Sequence, residues 1–192
     1  MEIELFVGNY LTKLKKMLDE VDPKVVGAIV QALEVSLEKK SRIYILGNGG
    51  SSATASHMVN DLGAGLRRRE IRNFDVTSLG DNSPVITAIA NDIGYENTFY
   101  MQMKGLLSPD DIVIAISCSG DSPNIVKAIS YAKSLGCQII GVTGFSGGYL
   151  REVSDVNLHV DAPAGEYGLV EDVHMILDHI IYSYYIQRGS NA

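Results

Sequence analysis

Apolar and polar positions along this chain follow two periods that trade places repeatedly. From residue 3 to 20 the apolar residues recur at helical spacing, and Leu5, Tyr10, Leu11, Leu14 and Leu18 share one broad face. Asp22-Pro23 opens a second helix, with Asp22 as N-cap and Pro23 at the first helical position, and it runs to about Lys39. Short apolar strands then alternate with helices. Strands are expected at 42–46, 74–79, 112–116, 138–142 and 157–160. Helices are expected from Ser51 or Ser52 to about Leu66, from Ser83-Pro84, over 95–107, from Ser122-Pro123, near 148–152, and from about Gly168 to Gln187.

Strands alternating with helices imply a mostly parallel five-stranded sheet covered on both faces. Right-handed crossovers make such an α/β sheet doubly wound. Ligands in these folds sit beyond the carboxyl ends of the strands. Two loops fall there, Gly47-Asn48-Gly49-Gly50-Ser51-Ser52 and Ser117-Cys118-Ser119-Gly120-Asp121-Ser122. Each runs from an apolar strand into Gly and Ser, then into a helix. Glycine lets the backbone approach an anion, and a helix N-terminus offers free N–H groups and partial positive charge. Phosphate is the usual anion at such sites. The first loop does not give G-x-G-x-x-G, and no Gly-Lys-Ser/Thr follows either loop, so neither a dinucleotide fingerprint nor a P-loop is present. Neutral hydroxyls and amides would hold the phosphate, which suits a small sugar phosphate.

Composition narrows the class. The chain has 192 residues, 46% hydrophobic and 20% charged, enough for a sizeable single α/β core. Its formal charge of −7 gives no electrostatic support for nucleic-acid binding. The run Arg67-Arg68-Arg69 is the basic exception, read as a solvated helix end or the edge of an anionic-substrate site. Cys118 and Cys137 lack metal or redox spacing. With no basic n-region and no membrane-length apolar run, a cytoplasmic location away from membranes is expected.

The titratable residues fall in two stretches. His57 and Asp61 lie four apart behind the first loop and share a helical face. On the last helix Glu171, Met175 and His179 form one stripe, and His174 and Asp178 a second. Histidine–carboxylate pairs at this spacing serve as metal ligands or as acid–base pairs. His159 sits in a strand and reads as structural.

At these residues the chain resembles the sugar isomerase (SIS) domain family, and within it the phosphoheptose isomerases. The matching motifs are Gly47-Asn48-Gly49-Gly50-Ser51 with Ala53, Ala55 and His57; Ala90-Asn91-Asp92-Ile93-Gly94; Ile116-Ser117-Cys118-Ser119-Gly120-Asp121-Ser122-Pro123-Asn124; Thr143-Gly144 with Gly147-Gly148; and Glu171-Asp172-Val173-His174 with His179. The resemblance spans nearly the whole chain. It implies one flavodoxin-like SIS domain over residues 1–192, with residues 1–40 as N-terminal helices for packing and oligomerisation.

It also implies conversion of sedoheptulose 7-phosphate to D-glycero-D-manno-heptose 7-phosphate by a homotetramer with active sites between subunits. Ser51, Ser117, Ser119 and Ser122 match phosphate contacts, and Asn48, Gly49, Asp92 and Glu171 the rest of the substrate site. His57, Asp61, Glu171 and His179 match positions that hold zinc; Asp61 and His179 match the catalytic base and acid. If all four ligate, Asp61 is not free to act as the base. The chain departs from the family in carrying Asp61 for glutamate, Glu171 for glutamine, Gly168 for aspartate and Gly65 for arginine. Isomerisation of another sugar phosphate, or a non-catalytic SIS sensor or replication-initiator adaptor, are the alternatives; retention of Asp61 and His179 favours the enzyme.

Overall fold

The computed structural model describes residues 2–189, and over them the two periods become helices and parallel strands. Helix α1 spans Ile3–Asp19 and α2 spans Pro23–Lys39. Asp22 caps α2 as its sequence suggests, its carboxylate accepting from the Lys24 N–H at 2.8 Å. Strand β1, Arg42–Gly47, leads into α3, Gly49–Met58. Then come β2, Asp75–Ser78, and α4, Ser83–Ile93. Short α5, Tyr100–Met103, precedes β3, Ile112–Ser117, and α6, Pro123–Ser134. Strand β4, Gln138–Gly144, α7, Gly148–Val153, β5, Val156–Val160, and α8, Tyr167–Gly189, complete the order.

All four strand pairings are parallel, in the order β2-β1-β3-β4-β5. The chain therefore reverses its winding direction between β1 and β3, and such a switch point opens a crevice at the carboxyl ends of the two strands. Gly47 of β1 stands opposite Ile116 of β3, so the two Gly/Ser loops leave adjacent strands at the same level.

Side chains alternate between the two faces of the sheet. Ile43, Ile45, Ile112, Ile114 and Ile116 join Leu33 of α2, Met58 of α3, and Val173 and Leu177 of α8 in one core. Tyr44, Leu46, Val113, Ala115 and Ile139 join Met103 of α5, Ile125 and Ile129 of α6, and Leu150 of α7 in the other. Every residue of β3 is buried, because helices cover both its faces.

Two local expectations need correction. The helix expected from Ser51 or Ser52 to Leu66 starts at Gly49 and changes at Met58 into a π-helix, Val59–Gly65. The helix expected from Ser83-Pro84 does begin at Ser83, and Asn82 caps it, its side chain accepting from the Val85 N–H at 3.2 Å. Residues 95–107 do not form one helix. Gly94, with φ near +98°, turns the chain into a 3-10 turn at Tyr95–Asn97, and α5 ends at Met103.

No residue of α1 is buried. Leu14, Met17 and Leu18 pack against the first core, while Ile3, Leu5, Phe6, Val7 and Leu11 stay exposed. Polar ties fix α1 to the end of the chain: the Tyr10 hydroxyl donates to Asp172 at 2.7 Å, and Lys13 pairs with Glu166 at 2.6 Å. That carboxylate partner pushes the Tyr10 hydroxyl up to about 12. Among the described residues no helix is long and apolar enough to cross a membrane.

Candidate active site

The first loop is built for close approach. Gly49 adopts φ near +54°, and a Cβ on Gly50 would collide with the Glu171 carboxylate from α8. Ser51 is buried beside the loop, at the start of α3. Asn48 and Asn124 form a reciprocal amide pair. Asn124 Nδ2 donates to Asn48 Oδ1 at 2.8 Å, and Asn48 Nδ2 donates to Asn124 Oδ1 at 3.0 Å. The Tyr95 hydroxyl also donates to Asn48 Oδ1, at 2.8 Å, so Tyr95 orients a residue read from sequence as a substrate contact. Nothing in the local sequence marked Tyr95, which reaches Asn48 only through the turn at Gly94.

In the second loop the Ser117 Oγ accepts from the Gly120 N–H at 3.1 Å, and Ser119 Oγ accepts from the Asp121 N–H at 3.4 Å. Gly120 has φ near +71°, and a Cβ there would strike the carbonyl of Gly147 in the loop after β4. Ser122 holds the N-cap position of α6 but makes no side-chain cap bond, leaving its hydroxyl uncommitted to the helix. Cys118 is buried and its thiol pushed up to about 11, by burial first and the Glu171 charge second, so it is a poor nucleophile. Asp92, exposed near the end of α4, accepts from Asn91 at 2.9 Å.

Beyond the loops, α3, the π-helix and α8 bring together His57, Asp61, Asp178 and His179. One donor atom from each lies within 4.8 Å of all the others. His57 Nε2 stands 3.2 Å from His179 Nε2, 3.6 Å from Asp61 Oδ2 and 3.9 Å from Asp178 Oδ2. Donors at ~2.0–2.2 Å from a tetrahedral ion lie roughly 3.3–3.6 Å apart, so these spacings fit a divalent cation. Asp61 is buried within the π-helix and also accepts from Asn60 Nδ2 at 2.9 Å. π-Turns recur at functional sites because they re-aim side chains from an otherwise regular helix.

Asp178 is fully buried, and neither carboxylate oxygen has a hydrogen-bond partner. Burial, with the charge of Asp61 second, pushes its carboxyl up to about 7. Glu171, expected among the metal donors, is not in this group. It lies two turns of α8 before His179, about 12 Å of axial rise, with its carboxylate against Gly50. Asp178 stands in the group in its stead and was not singled out from the sequence as a ligand.

The other two histidines are fixed elsewhere. The guanidinium of Arg151 donates to His159 Nε2 at 3.1 Å, so His159 is neutral and its Nδ1–H donates to Thr143 Oγ1 at 3.0 Å. His174 is buried in α8 and its Nε2–H donates to the Thr143 carbonyl at 3.1 Å. Two family departures have tyrosines over them. The Tyr182 ring lies 3.1 Å from where a Cβ on Gly65 would stand, and the Tyr10 hydroxyl 3.1 Å from one on Gly168.

A SIS-domain family model matches residues 9–144. The phosphoheptose isomerase of Geotalea daltonii is 35% identical over 180 residues, covering 92% of this chain and 93% of that protein. A probable phosphoheptose isomerase of Thermoplasma acidophilum is 36% identical over 158 residues, covering 82% and 85%. The structure of a phosphoheptose isomerase from Neisseria gonorrhoeae aligns with a TM-score of 0.85 at 22% identity, over 97% of this chain and all of that one, and shares the fold.

Proposed function

This chain belongs to the SIS domain family, and on that premise we propose that it is an aldose–ketose isomerase converting sedoheptulose 7-phosphate to D-glycero-D-manno-heptose 7-phosphate. The observation that carries this reading is the meeting of Asp61 and His179, 118 positions apart, in one cluster next to the crevice at the sheet's switch point. A binding protein has no need of a carboxylate and an imidazole held together beside a phosphate cradle.

In this reading the phosphate docks on the backbone amides and hydroxyls of the two loops, with Ser51, Ser117, Ser119 and Ser122 as contacts. Asn48, held by Asn124 and Tyr95, faces the sugar with Gly49, Asp92 and Glu171. Asp61 removes a proton from the carbon beside the carbonyl, giving an enediol. His179 moves a proton between the two oxygens, and Asp61 returns its proton to the neighbouring carbon, so no atom is gained or lost.

The zinc ion implied by the resemblance would rest on His57 and His179, with carboxylate completing the set. It would supply Lewis acidity at the sugar carbonyl. The donor spacings and the orphaned Asp178 carboxylate support such an ion.

We also propose a cytoplasmic homo-oligomer, a tetramer by resemblance, with no nucleic-acid or membrane partner. The exposed apolar side of α1 supports the assembly: a second copy of the chain would cover it. The direct test is isomerisation of C5–C7 sugar phosphates, with and without added zinc. Fastest turnover is expected with sedoheptulose 7-phosphate. No turnover of any C7 phosphate would end the reading, and preference for a shorter sugar would replace the substrate.

A further inference from the structure

Asn48, Tyr95 and Asn124 come from three separate segments and meet in one closed set of hydrogen bonds. Asn48 follows β1, Tyr95 opens the 3-10 turn, and Asn124 is the second residue of α6. The polarity of the set is fixed from its buried end. Asn124 has no solvent exposure, and the Ile125 backbone N–H, which can only donate, meets its Oδ1 at 3.0 Å. Asn124 Nδ2 then donates one hydrogen to Asn48 Oδ1 at 2.8 Å and the other to Thr98 Oγ1 at 3.2 Å. The Thr98 hydroxyl in turn donates to the Tyr95 carbonyl at 2.9 Å, which ties the turn that carries Tyr95 into the same set.

The donors and acceptors leave Asn48 with one unused group. Its Oδ1 accepts from both Asn124 and the Tyr95 hydroxyl, so both lone pairs are taken. One Nδ2 hydrogen goes to Asn124 Oδ1. The other N–H belongs to a half-buried side chain at the start of the first loop and has no partner among the described residues. We propose that Tyr95 and Asn124 are positioning residues that hold Asn48 as a donor only, so that its free N–H reads an acceptor oxygen of the sugar. An unheld asparagine can turn its amide to serve either a donor or an acceptor. This one cannot turn without setting its own N–H₂ against that of Asn124. The Tyr95 hydroxyl completes the restriction, because it closes Oδ1 to any sugar hydroxyl. The inference rests on the isomerase reading for the sugar, not for the polarity of the amide.

The test is a double-mutant cycle read by isothermal titration with sedoheptulose 7-phosphate and, separately, with inorganic phosphate. Tyr95 is 53% exposed, so Tyr95→Phe deletes the hydroxyl without opening a cavity, and the variant is expected to melt with wild type. It should weaken sugar-phosphate binding about 3- to 10-fold, the range for one neutral hydrogen bond. Inorganic phosphate should stay within about twofold, because the Asn48–Asn124 pair still ties the two loops together. In an Asn48→Ala background the same substitution should change sugar-phosphate affinity by less than about twofold, since Tyr95 has nothing left to position. NMR of wild type carrying isotope-labelled asparagine supplies a second readout. Without ligand, one Asn48 side-chain proton should exchange freely with water and the other be protected; sedoheptulose 7-phosphate should protect both.

Unchanged sugar-phosphate affinity in Tyr95→Phe, an equal penalty with and without the Asn48 side chain, or an Asn48 proton that sugar phosphate leaves exposed would each overturn the assignment. Equal losses for sugar phosphate and inorganic phosphate would do the same, since Tyr95 would then act on the loops rather than on the sugar contact. Binding with the expected dependences but no turnover would instead count against the isomerase reading alone.

Discussion

His57 and His179 are 122 positions apart, and their Nε2 atoms lie 3.2 Å from each other. One sits in the last turn of α3, the other halfway along α8. Their rings meet edge to face, with centroids 5.1 Å apart. Two lone-pair-bearing nitrogens approach this closely when a proton or a cation lies between them, so the contact joins the binding loops to the last helix through chemistry rather than apolar packing.

The first consequence concerns His179 itself. His179→Ala should lower kcat by about 10²–10⁴, the range for removal of a general acid–base group. Phosphate binding should persist, because both Gly/Ser loops lie outside the substitution. Isothermal titration with inorganic phosphate, beside a turnover assay, separates the two. Loss of phosphate binding together with activity would show that His179 acts in docking.

Asp61 should tolerate length better than loss of charge. Asp61→Asn removes the proposed base and should cost about 10²–10⁴ in kcat. Asp61→Glu adds one methylene, restores the family's glutamate, and should keep at least about a tenth of the activity. If Asn and Glu at 61 are equally active, the proton is taken by another group.

Acid should weaken the fold through His174. Burial, offset in part by its bond to the Thr143 carbonyl, pushes this imidazole down to about 4, below its ordinary 6.5. The unfolded chain therefore binds the proton first. The stability from holding His174 neutral is complete above pH 6.5 and is lost as pH falls towards 4. The loss amounts to about 3 kcal/mol at 1.36 kcal/mol per unit. Urea unfolding of wild type and His174→Gln across pH 4–7 reads the difference. Equal slopes for the two proteins would refute it.

The exposed side of α1 should govern assembly. Phe6→Glu with Leu11→Glu places charge among Ile3, Leu5 and Val7 without touching Leu14, Met17 or Leu18, which pack on the core. The double variant is expected to sediment as a smaller species and to keep its fold by circular dichroism. An unchanged sedimentation profile would move the interface elsewhere.

The sheet and its helices were legible because the two periods are clean. β3 reads as an unbroken apolar run and proves buried on both faces, and Asp22-Pro23 marks a helix start that the structure caps as expected. Less of the metal group could be read. Adjacent helical residues point about 100° apart, so Asp178 falls on a different stripe from His179. Sorting α8 into stripes put Asp178 with His174 and Glu171 with His179, while the cluster is served from the line between them. The π-helix escaped for a related reason. Gly63 and Gly65 weaken the α-helix locally, but nothing in residues 59–65 specifies a wider turn apart from the neighbours it packs against.

The order of the elements also bears on how the molecule is made. Chains are synthesised from the N-terminus, and the parts of an unfinished domain collapse before the whole is present. β1, β3 and both Gly/Ser loops precede residue 123, whereas Asp178 and His179 lie on the last helix. A growing chain thus holds its two loops, with His57 and Asp61, before it holds the partners that α8 brings to them. Until α8 docks, the nascent protein is chemically silent, and the closing of the His57–His179 contact reports that folding has been completed.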